Sequence, residues 1–186
     1  MMKQATPLSL FGNQRASMIS PIEVLTQINL DDLVSSFGWE NTPLPAAILR
    51  RLFFRPAHKF ARQMVEYDEQ IREGGLHKAS RATLQKHYIQ DLCLHGQENI
   101  PARGPVLFLS NHPGLTDTIS LFAAIPRADL RIIALDRPFL TSLPNISRHL
   151  IYISEDAGKR MQAVRHVASH LRGGGAALTF PAGRIE

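Results

Sequence analysis

The run Leu107-Phe108-Leu109-Ser110-Asn111-His112-Pro113-Gly114-Leu115-Thr116-Asp117 decides how the chain is read. An apolar stretch of strand length ends in a polar Pro-Gly loop, and the loop opens a helical pattern that carries an acid in its first turn. Further apolar runs follow at Arg131–Leu135, Leu150–Ile153 and Ala176–Phe180, and Ile89–His95 precedes as another strand candidate. Helical patterns at Asp117–Ala124 and Asp156–Leu171 lie between them; Ser154 or Asp156 is placed to cap the second, and Gly173-Gly174-Gly175 to stop it. Strands alternating with helices predict an α/β fold with a layered mixed sheet flanked by helices.

Upstream the pattern is helical. Ser20-Pro21-Ile22-Glu23 reads as a capping box with proline at the first helical position, and Gly38 ends the helix that follows. A second helix is expected over Pro45–Arg55, interrupted by Pro56, then a third from Pro56 to Glu73 stopped by Gly74-Gly75, and a short one over Ser80–His87. The expected division is a helical region over 1–88 and, over 89–186, the N-terminal part of a catalytic domain. A strand ending at Phe180 normally feeds another helix and strand, so the sheet is expected to continue beyond Glu186.

His112 and Asp117 are the candidate reactive pair. A neutral imidazole accepts a proton from a hydroxyl when its tautomer and orientation are fixed. A turn through Pro113-Gly114 brings the Asp117 carboxylate back toward the ring, and a helix N-terminus favours its charge. The bland alternative, that Asn111 and Asp117 are turn and cap residues and His112 incidental, fits the local sequence as well. No Gly-x-Ser-x-Gly elbow is present, and Cys93, read as a small core residue, has no adjacent base in sequence. His166 and His170 stand at the i, i+4 spacing of a zinc pair, but with no third ligand in view they read as solvated histidines, and a zinc hydrolase built on His112, His166 and His170 ranks low.

Taken together, Gly96-x-Glu98-Asn99-Ile100-Pro101, Asn111-His112-x4-Asp117 and Phe180-Pro181-x-Gly183 resemble, in order and spacing, the glycerol-phosphate and lysophosphatidate acyltransferase family over residues 89–186. The resemblance implies transfer of a fatty acyl group from acyl-CoA or acyl-carrier protein to a hydroxyl of a glycerol-phosphate or lysophospholipid-like acceptor, without an acyl-enzyme. It implies His112 as base, Asp117 as its orienting carboxylate, Asn111 and Gly114 as loop residues at the substrate, and Gly183 and Arg184 on the acceptor's phosphate. No cofactor or metal is implied. The chain departs from the family's usual Phe-Pro-Glu-Gly-Thr-Arg: Ala182 replaces the glutamate and Arg184 stands one position early. Ser154-Glu155 stands where the family often has an arginine, which Arg148 or Arg137 could replace. A catalytically inactive lipid-surface binding protein of the same fold is therefore the competing expectation.

Composition sets the partners. The chain has 21 Lys+Arg against 16 Asp+Glu, a net charge of +5 that does not by itself indicate nucleic acid. The excess is concentrated over 41–65, where Arg50, Arg51, Arg55, Lys59 and Arg62 stand without an acid beside the apolar Ile48, Leu49, Leu52 and Phe53. An anionic membrane surface is the natural partner, if that apolar side is not instead packed on the core. With no stretch long enough to span a bilayer, no leader pattern and a single cysteine, the expected location is cytoplasmic, peripheral at the membrane's cytoplasmic face.

Overall fold

The computed structural model describes residues 19–111, 114–154 and 156–181. It is an α/β fold with helices leading at the N-terminus. Helix α1 (Pro21–Ser36) begins at the expected capping box, with the Ser20 hydroxyl accepting from the Glu23 N–H and the Glu23 carboxylate accepting from the Ser20 N–H. Helix α2 (Pro43–His87) is longer than expected. It passes through Pro56 without a break; the carbonyl whose partner the proline removes belongs to Leu52, which is 69% exposed and open to water. Gly75, at φ 78°, instead reverses the chain and divides α2 into two arms, 43–74 and 76–87. The arms lie side by side: the buried Tyr67 hydroxyl meets Ser80 Oγ at 2.7 Å, and Thr83 donates to Gln70 at 3.1 Å. Ser80 itself donates to the Leu76 carbonyl, so Tyr67 is the donor to Ser80. Burial pushes the Tyr67 phenol far above its ordinary value and keeps it neutral.

Among the described residues four strands follow: β1 (Val106–Leu109), β2 (Arg131–Leu135), β3 (Leu150–Ile153) and β4 (Ala176–Thr179). Their order in the sheet is β1-β4-β2-β3, and the three pairings are all parallel. Of the expected mixed sheet, an antiparallel member is not found among the described residues. The helical crossovers account for this, since a helix between strands returns the chain to the edge where it started. Ile89–His95 forms no strand. Ile89 and Leu92 instead pack around Leu84, Ile119 and Ala123. Cys93 is exposed rather than in the core, 3.4 Å from His95 Nε2, so a base does stand beside it.

Helix α3 (Leu115–Ala124) joins β1 to β2. The short helices α4 (Pro138–Thr141) and α5 (Pro144–Ser147) join β2 to β3, and α6 (Ala157–Arg172), capped by Asp156, joins β3 to β4. The last connection runs back along the sheet. With right-handed crossovers, α6 therefore covers the face opposite α3. The α3 face holds the main core, where Ile132, Ala176 and Leu178 meet Phe122, Leu25, Met64 and Ile71. The N-terminal helices thus share one core with the sheet. Completely buried Leu25 and Leu178 each contribute roughly 1.5–3 kcal/mol by burial.

Arg127 secures the amino edge of the sheet. Only 6% exposed, it donates to both Asp129 carboxylate oxygens at 2.7 Å, to Pro101 O at 2.9 Å, and to Gly104 O and Gly174 O at 3.1 Å. These carbonyls lie on the segments that enter β1 and β4, so one guanidinium fixes where both strands start.

Candidate functional site

The parallel pairing of β1 with β4 joins two distant parts of the sequence. Leu109 is opposite Thr179, and the Ser110 N–H donates to the Thr179 carbonyl at 3.2 Å. Both strands point the same way, so the Ser110-Asn111 loop and Phe180-Pro181 leave the sheet side by side at its carboxyl edge. That edge is where open α/β sheets hold their ligands. Asn111 is exposed there.

Asp117 lies in the first turn of α3, exposed, with no hydrogen-bond or ionic partner among the described residues. Side chains on a helix lean toward its N-terminus, and this one follows the rule: Asp117 Oδ2 is 3.5 Å from where a β-carbon on Gly114 would stand. The carboxylate therefore faces back over the loop instead of out along the helix. Gly114 is fully extended (φ 177°) and Cβ contact at that distance is ordinary, so neither backbone conformation nor space demands glycine there. His112, Gly183 and Arg184 lie outside the described residues.

Topology separates the two arginines that sequence left as alternatives. Arg137 follows the carboxyl end of β2, the strand next to β4, and is exposed on the same edge as Asn111 and Pro181. Arg148 follows α5 and leads into the start of β3, on the amino side. Of the two, Arg137 is the one on the edge that carries Asn111 and Pro181.

The histidine pair has another use. The expectation of two solvated side chains holds for His166, which is exposed, but not for His170. His170 Nε2 lies 2.9 Å from Asp129 O and 3.0 Å from Ala176 O, so it donates to carbonyls and ties α6 to the sheet's amino edge. Among the described residues no group of three or more His, Cys, Asp or Glu side chains is placed to hold a metal. Sequence reading missed Asp68 and Arg127, whose partners are mostly carbonyls or backbone N–H groups with no residue signature. The Arg127-x-Asp129 spacing was the one available signal.

No curated protein and no solved structure was found to match the chain. Residues 91–186, more than half of the sequence, match the model of the Acyltransferase family. That stretch contains both loops that meet at the carboxyl edge, and the chain belongs to the acyltransferase family.

Proposed function

We propose that the chain transfers a fatty acyl group from acyl-CoA or acyl-carrier protein to a hydroxyl of a glycerol-phosphate or lysophospholipid-like acceptor. The observation that supports this best is the β1–β4 pairing, which brings the loop leading from β1 to Asp117 in α3 beside the start of the Phe-Pro-x-Gly block. In this reading neutral His112 takes the acceptor's hydroxyl proton as the oxygen attacks the thioester carbonyl, and Asp117 orients the ring and offsets the imidazolium charge. The tetrahedral intermediate collapses with loss of the thiolate, which takes the proton back from His112. Asn111 and Gly114 shape the loop around the reacting groups. Gly183, Arg184 and Arg137 hold the acceptor's phosphate from the neighbouring strands. No step calls for a cofactor. In this reading residues 89–186 carry the acyl-transfer site, and the helices of 21–87 share a core with it. A lysophospholipid acceptor is a membrane component, and the reading that goes with it is a peripheral enzyme at the membrane's cytoplasmic face.

The competing reading, an inactive lipid-surface binding protein, draws on Ala182 and the displaced Arg184. Purified full-length chain incubated with acyl-CoA or acyl-carrier protein, with and without glycerol 3-phosphate or a lysophospholipid, decides between them. Acceptor-dependent release of thiol, with the acylated product identified by mass, is expected. Lipid binding with no thioester consumed for any pair would establish the inactive alternative.

A further inference from the structure

The first arm of α2 extends past the sheet at the edge that carries the site. Phe60 stacks on Phe139 at 5.8 Å, and Phe139 belongs to α4, immediately after the carboxyl end of β2. Two turns later Asp68 reaches Asn145 in α5, on the way back to the start of β3. The arm therefore runs from carboxyl edge to amino edge as the chain advances, and its earlier turns project beyond the carboxyl edge.

The outer face of those turns is apolar and uncovered. Leu44, Ile48 and Leu52 follow at i, i+4 and i+8 and are 72%, 62% and 69% exposed, while Leu49 packs inward on Val34 and Ala46. The apolar side expected from sequence is thus split, and Leu44 replaces Leu49 on the free face. Arg51, Arg55, Lys59 and Arg62 border and extend this stripe on the same side of the helix, all exposed and without an acidic partner among the described residues. Arg50 does not belong with them, since it pairs with Asp31 of α1. Of the other acids, Asp32 and Glu40 are carried by α1 and the turn, where Glu40 accepts from Ser35, and Glu66, one turn after Arg62, pairs with Lys86.

We infer that this face of α2, residues 44–62, seats the protein on an anionic lipid bilayer and presents the sheet's carboxyl edge to it. A face with leucine-type side chains at one end and unpaired cations along the rest matches an acyl layer beneath a layer of phosphates. A second copy of the chain does not match, because two such faces would oppose cation to cation. The inference rests on the proposed function only for what the docking is for.

Trp39 gives the test. It is the chain's single tryptophan, in the turn that enters α2, its ring 5.1 Å from that of Phe37 and tilted against it. Its emission should shift to the blue with phosphatidylglycerol-containing vesicles, be quenched by brominated acyl chains, and respond little to phosphatidylcholine alone. Changing Arg51, Arg55 and Lys59 together to Gln should weaken partitioning ~10–100-fold. Leu44→Asn with Ile48→Asn should abolish quenching with unchanged thermal unfolding. Equal binding by natural and variant proteins, or no preference for the anionic vesicles, overturns the inference. Turnover on a water-soluble, short-chain acceptor separates the two readings: vesicle binding as described with no turnover sinks only the acyl-transfer reading. Turnover with no Trp39 response sinks only the docking surface.

Discussion

Asp68 Oδ2 accepts the Nδ2–H of Asn145 at 2.7 Å, linking the first arm of α2 to the β2–β3 connection across 77 residues of chain. The same carboxylate accepts the backbone N–H groups of Asn145 and Ile146 at 3.0 and 2.8 Å. Carboxylate and amide are both buried, so neither has water to fall back on. One residue of the helical region thereby fixes the segment that carries Arg137. Asn145 is the first residue of an Asn-Ile-Ser glycosylation pattern, but its amide is committed to this contact.

Asp68→Ala should therefore cost about 2–4 kcal/mol, because it leaves buried donors unsatisfied. Asp68→Asn keeps an acceptor and should cost less. Asn145→Asp, which sets a second carboxylate against the first, should be at least as damaging as the alanine. Urea unfolding of the three variants measures all of this. An Asp68→Ala protein as stable as the natural chain would show that the contact does not hold the two regions together.

Acid should act through Asp129. The hydrogen bond from Arg127 holds its carboxyl below the ordinary value of 3.8. The unfolded chain binds that proton more readily, so this contribution is fully present above about pH 3.8 and is lost as pH falls through the lower folded value. Asp129 is partly exposed, which keeps the effect modest. Asp129→Asn should be less stable at neutral pH and show a shallower loss of stability below pH ~4. Thermal melts across that range give the comparison; parallel profiles for the two proteins would contradict it.

A third expectation concerns Gly175. A β-carbon there would stand 2.3 Å from the His170 ring, far inside contact distance. Gly175→Ala must displace the ring from its bonds to Asp129 O and Ala176 O, and should destabilise by roughly 1–3 kcal/mol. Combining it with His170→Ala should recover part of that loss if the clash is the cause. Denaturant midpoints of the two single variants and the double provide the check.

These contacts show why the sequence was legible in some places and closed in others. The capping box at Ser20, the Asp156 cap and the four strands of the sheet were readable because each depends on residues a few positions apart. Pro56 misled because helix breaking assumes the lost hydrogen bond cannot be replaced, and at an exposed position water replaces it. Ile89–His95 misled because a short apolar run reports burial, and a strand also needs a partner. Gly175 was read as helix punctuation because the ring that needs its space belongs to the fold, not to the local sequence. At the site, the two blocks were visible as motifs, while their adjacency follows from β4 inserting between β1 and β2, which no local pattern encodes.

The same topology predicts a difference between two arginines that composition cannot distinguish. Arg137 lies at the carboxyl edge and Arg148 on the amino side. If Arg137 binds the acceptor's phosphate, Arg137→Gln should raise KM for the acceptor about tenfold, a loss of one charge-assisted contact, with kcat little changed. Arg148→Gln should leave both constants alone. Equal effects of the two changes would remove Arg137 from the site.

The sharpest expectation concerns His112 and Asp117 as a pair. His112→Ala should lower kcat by ~10²–10⁴, the usual worth of a general base, with the fold intact by circular dichroism. Asp117→Asn separates two roles for the carboxylate. As a helix cap, Asn serves about as well as Asp, so stability and activity should both survive. As the group that orients His112 and offsets its positive charge, the carboxylate is needed during proton transfer. Its amide should then cost most of the turnover while leaving the melting temperature unchanged. The carboxylate's turn back over Gly114, with no competing partner among the described residues, favours the second outcome. Because the two residues act on one proton, their losses should not add: His112→Ala with Asp117→Asn should be no slower than His112→Ala alone. Additive losses would mean that Asp117 acts independently of His112, and full activity in Asp117→Asn would make it a cap.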